Sequence, residues 1–180
     1  MSFAKWFSLK SYVLGICTIF FIVIVIIAVR FDLIFGRHDA GDPILRALEI
    51  EVSRSEKRAG LGCQDLRSGI RTTLSNDVIP VLDAYAKGAN WKAELQTKSK
   101  RIDDVNALLS ACASRQTHIQ RFGGIVPYPL TQSLVFDFGS IHAFLLIGLN
   151  ADTCGQACVD TQMQLVNSNR LQLMKELQND

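Results

Sequence analysis

Residues 11–29, SYVLGICTIFFIVIVIIAV, contain nineteen positions and no charged side chain. No other stretch constrains the chain so tightly. As a helix it would reach about 28 Å at about 1.5 Å per residue, close to the roughly 30 Å hydrocarbon core of a bilayer. The β-branched run Ile22–Ile27 would suit a buried strand, but a strand of nineteen apolar residues is far longer than globular sheets use. Trp6, Phe7 and Tyr12 lie where an interfacial aromatic belt belongs, with Lys5 and Lys10 beside them. A cleaved signal peptide is the competing reading. Its apolar region should be shorter and end in small residues, whereas this run ends in Val29-Arg30-Phe31. An uncleaved anchor is therefore expected.

Charge alone does not orient that anchor. Lys5, Lys10 and the amino terminus face Arg30, Arg37 and Arg46 on the other flank, nearly a tie under the positive-inside rule. Cysteine usage breaks it. Four cysteines follow the anchor, Cys63, Cys112, Cys154 and Cys158, an even number suited to disulfides in an oxidising compartment. No N-x-S/T sequon occurs, which fits a bacterial periplasm. The expected organisation is a cytoplasmic tail over 1–10, a transmembrane anchor over 11–29, a juxtamembrane connector over 30–43 and a helical periplasmic domain over 44–180. That makes a single-pass inner-membrane protein with its carboxy-terminal domain in the periplasm.

The soluble part has room for one domain with a real core. Charged residues make up 20% of the chain and the net charge is +2, so nothing advertises nucleic acid. Its densest basic group, Arg54, Lys57 and Arg58, has Glu51 and Glu56 beside it and reads as a solvated helix face.

Helical signals then follow one another. Asp42-Pro43 reads as an N-cap and first helical residue, opening a helix with Leu45, Leu48, Val52 and Ala59 at helical spacing until Gly60-Leu61-Gly62. A second helical stretch runs from Cys63 to Leu74. Ser75-Asn76-Asp77 offers capping side chains, and Pro80 marks a restart or kink before Lys87-Gly88. Residues 93–122 carry the best pattern. Leu95, Ile102 and Leu109 interleave with Lys98, Val105, Cys112 and Ile119 as a heptad seam that Gln116 interrupts, and Gly123-Gly124 ends it. Two prolines around Tyr128 keep 125–132 out of a helix.

Residues 130–149 form a second strongly apolar segment. Asp137, Gly139 and His142 break it, so a core helix is preferred to a second membrane pass. Asn150 to Thr153 would cap a last helix, 154–177, with a stripe of Val159, Met163, Val166, Leu173 and Leu177. The fold class expected is mainly α, an irregular bundle of four or five helices with disulfide staples behind a single transmembrane helix.

Cys63 lies 25 residues before Gly88 and Cys112 lies 22 after Asn90, both on apolar stripes. In an antiparallel hairpin turning at 88–90 they would face each other, so a 63–112 bridge is favoured, with 154–158 as the remaining pair. Zinc ribbons show two closely spaced cysteine pairs, and here only Cys154 and Cys158 are close. No metal or cofactor is expected. His142 reads as a core histidine satisfied by a carbonyl or water, because Asp137 is about 140° away around the helix. Asp103-Asp104 reads as a solvated face, and the catalytic signatures of hydrolases, zincins, phosphate-binding loops and dinucleotide folds are missing.

No enzyme is expected. The expected function is an accessory or assembly subunit of a bacterial envelope complex, working through contacts with other membrane or periplasmic proteins and the bilayer. Ile125, Val126, Tyr128, Phe136 and Phe138 are the candidate partner surface. A small-ligand-binding or inhibitor domain of immunity or exclusion type is the alternative, and a membrane-active effector such as a phage lysis protein, inserting 130–149, is another.

Overall fold

The computed structural model describes residues 42–149 and 155–178; the expected tail and anchor, most of the connector, and Cys154 lie outside the described residues. The chain divides into two compact units, 1–46 and 47–180. Of the first, the described part is Asp42–Arg46. There the Asp42 carboxylate accepts from the Ile44 and Leu45 N–H groups at 2.9 and 3.3 Å, and Pro43 takes the first helical position. The cap expected from Asp42-Pro43 is thus present.

The helices are α1 (Pro43–Ala59), α2 (Leu66–Thr73), α3 (Ile79–Ala86), α4 (Trp91–Arg121), α5 (Gln132–Leu149) and α6 (Gln156–Gln178). A 3₁₀ turn, Cys63–Asp65, leads into α2, and no strand occurs among the described residues. The bundle is therefore mainly helical, as expected.

α2 and α3 are not separate helices. A π-helical turn, Leu74–Val78, joins them, and the Ile79 N–H reaches back five residues to the Leu74 carbonyl. Proline at position 80 has no N–H to give and its ring crowds the carbonyl four residues earlier. The wider π turn makes room for it, and the chain stays helical. This corrects the capping role expected of Ser75-Asn76-Asp77: no side-chain cap forms there, and Asp77 is instead buried.

At Gly88, with φ of +65°, the chain reverses, and Asn90 caps α4 by accepting from the Ala93 N–H at 3.2 Å. The α2–α3 rod and α4 form the hairpin read from the sequence. Its seam is buried at Leu95, Ile102, Val105, Leu108, Leu109 and Cys112. Across it lie Leu66, Ile70, Leu74 and Val78, each with no accessible surface. Cys63 and Cys112 are joined by a disulfide with Cα atoms 6.0 Å apart, within the normal span of such a bond. Cys158 is also disulfide-bonded.

α5 and α6 make the most extensive helix pair, and α5 also packs on α4. Leu134, Phe138, Ile141 and Leu145 of α5 are buried, and α6 contributes the stripe Val159, Met163, Val166, Leu173 and Leu177. By length and composition α5 is the one described helix that would suffice to cross a membrane; here one face of it lies in the bundle core. Polar ties fasten α6 at both ends. The Tyr85 hydroxyl donates to Asp160 near its start. Near its end Arg71 donates to the Leu177 carbonyl, and Thr131 and Ser133 donate to Glu176.

Candidate interaction surface

α4 ends at Gly123, whose φ of +76° suits glycine, and the Gly124 N–H caps the Ile119 carbonyl at 2.9 Å. The chain then crosses to α5 through a proline-containing loop. Gln116, the residue that interrupts the heptad seam, holds the far end of that loop. Its amide nitrogen donates to the Leu130 carbonyl at 2.9 Å, and its amide oxygen accepts from the Leu130 N–H at 2.6 Å. A polar residue at a seam position thus acts as a clamp, a pairing that heptad periodicity does not reveal. Beneath the loop, Val126, Pro127 and Tyr128 close over the Cys63–Cys112 disulfide and leave a space of only about 10 Å³.

The loop and the helix ends beside it expose several large apolar side chains. Ile125 is 92% exposed, Phe136 70%, Tyr128 59% and Phe122 53%. Val126 is half-buried against the disulfide. Phe138 is not part of this surface. It is completely buried, two residues from Phe136 and so about 200° around α5, which turns it into the core. Four of the five candidate residues therefore lie at or near the surface, and the fifth is a core residue.

Three polar clusters lie elsewhere. Asp77 is 5% exposed, with Arg101 Nε 3.4 Å and Lys98 Nζ 3.9 Å away. Lys98, the odd cation in the heptad seam, is thereby accounted for. Burial nonetheless holds the Asp77 carboxyl above the ordinary aspartate range, with Arg101 and then Lys98 offsetting only part of the effect. A raised folded-state pKa favours folding at low pH, and that contribution is lost as pH rises through the raised value. Asp77→Asn should therefore gain most in melting temperature relative to wild type at pH 7, with the gain shrinking toward pH 3.5. Thermal unfolding at both pH values checks it. A gain that grows on acidification would mean that the two cations outweigh burial.

His142 is held by side chains, not by the carbonyl or water expected. Its Nε2 lies 2.7 Å from the Asp103 carboxylate and its Nδ1 3.2 Å from the Asn106 amide nitrogen. This fits an Nε2-protonated ring donating to Asp103 while the Asn106 amide donates to Nδ1. Asp103 is thus more than a solvated acid: it ties α4 to α5. The third cluster is Tyr85, Asp160 and Gln156. Hydrogen bonds from Tyr85 and then Gln156 hold the Asp160 carboxyl below its usual range, and the bond to Asp160 raises the Tyr85 phenol. In none of these do three His, Cys, Asp or Glu side chains converge as a metal site would require, nor do they elsewhere among the described residues.

The loop itself is apolar and is braced by a disulfide and an amide clamp. No protein-family model matches this chain, nor does any curated protein or solved structure.

Proposed function

We propose that this chain is a membrane-anchored, non-enzymatic accessory or assembly subunit of a bacterial envelope complex, working through protein–protein contacts. Residues 11–29 hold it in the inner membrane, and the helical domain acts in the periplasm. The observation that carries this reading is Ile125, 92% exposed on a loop tied down at both ends. A rigid loop that presents an apolar side chain loses little conformational entropy when a partner covers it. The disulfide beneath the loop supports an oxidising compartment for the domain.

Co-purification of the full chain from its own membranes in mild detergent tests this. A partner should co-purify with wild type, and Ile125→Asp should reduce its recovery about tenfold or more without lowering the melting temperature. A monomeric chain with no stable partner, or a partner indifferent to Ile125→Asp, would count against it.

A further inference from the structure

Beside the loop runs an apolar groove of about 570 Å³ between α1, α4 and α5. Leu48 forms one wall and Val135 the other, and Ala113, Ser114 and Thr117 of α4 form the floor. Side chains this small let another helix approach close to the α4 backbone. One end carries Arg121 and His118, and among the described residues no carboxylate lines the groove. Arg121 is exposed and has no ion pair among the described residues. His118 packs against Phe122 with the rings tilted and their centroids 4.9 Å apart, so this end of the groove lies next to the start of the apolar loop.

We propose that this groove receives an amphipathic helix of the partner protein, apolar face inward, with an aspartate or glutamate meeting Arg121. The inference rests on the proposed function and names where and what the partner contributes. Charge complementarity selects the occupant: a cationic end beside apolar walls asks for an apolar face flanked by an acid. A second copy of this chain does not satisfy it. Two-fold pairing of the groove with itself would set two concave surfaces and two Arg121 side chains against each other. A small apolar acid matches the chemistry, but binding it well requires burying most of its surface, and this groove is open along its length.

The test places a photo-crosslinking benzoylphenylalanine at Ala113, or at exposed Thr117 if the Ala113 variant melts lower, in the full chain in its own membranes. A parallel variant carries it at Ile125. The expected result at the groove is an adduct to a protein, mapped to a helical segment with apolar residues three and four apart and an acid within about one turn of the site. Arg121→Glu should cut the yield about tenfold, and reversing the mapped acid to lysine should restore it. An adduct to lipid, a small molecule or a second copy would overturn the inference, as would no adduct or a yield indifferent to Arg121→Glu. A protein adduct at Ile125 with none at the groove would sink the helix-in-groove inference and leave the proposed function standing. Absence of protein adducts at both sites would sink both.

Discussion

Replacing Cys63 and Cys112 together by serine is expected to lower the stability of the helical domain by about 4 kcal/mol. The bond links residues 49 apart, and in the chain-entropy account a loop of that size restricts the unfolded chain by about that amount. For a domain of this length such a loss corresponds to a fall in melting temperature on the order of 10–20 °C. The same substitution should free the loop, because Val126, Pro127 and Tyr128 rest on the bridge. Amide exchange over 122–131 should therefore accelerate, beyond the general loss of protection, relative to α6. Thermal unfolding with and without reductant, and exchange at a temperature where both forms are folded, check the two parts. A fall of only one or two degrees would show that the hairpin is held by its apolar seam alone.

Phe138→Ala should cost about 3–5 kcal/mol, and Phe136→Ala no more than about 0.5 kcal/mol. The two rings are neighbours in sequence with opposite surroundings. Phe138 is fully buried in the apolar core, so truncation leaves a cavity as well as losing transfer free energy. Phe136 is 70% exposed and its removal leaves the bundle untouched. Chemical denaturation of both variants makes the comparison. Equal losses would mean that α5 is rotated from the orientation described, with both rings part-buried. In the co-purification experiment the ranking should invert: Phe136→Ala should weaken partner recovery, whereas folded Phe138→Ala protein should retain it.

These two residues also show where sequence reasoning succeeds and fails here. α4 was legible because its apolar residues are sparse among charges, so a spacing of seven points to one face. α5 is apolar almost all round, and an unvarying helix gives periodicity nothing to distinguish Phe136 from Phe138. The orientation of α5 is set by α4 and α6. The hairpin disulfide was legible because a glycine turn places Cys63 and Cys112 at nearly equal distances from it. Asp77 and His142 were not, because their partners, Lys98 and Arg101 in one case and Asp103 and Asn106 in the other, stand on a different helix. The groove belongs to the same class: it exists only once three helices are packed.

The π turn before Pro80 has a consequence for how this hairpin tolerates change in length. Leu66, Ile70, Leu74 and Val78 recur every fourth residue, and all four are fully buried. In an unbroken α-helix each such step drifts by about 40°, so the fourth position would have swung roughly 120° off the seam. A π turn is in effect one inserted residue, worth about 100°, and it takes up nearly all of that drift. Residues 74–78 therefore act as a phase corrector that lets a period-four stripe face a heptad partner. Deleting a single residue there would restore ordinary α-helical hydrogen bonding and leave the rest of the rod in phase, at the cost of the room the π turn gives Pro80. Tyr85 would then still face Asp160, and the hairpin would keep its tie to α6.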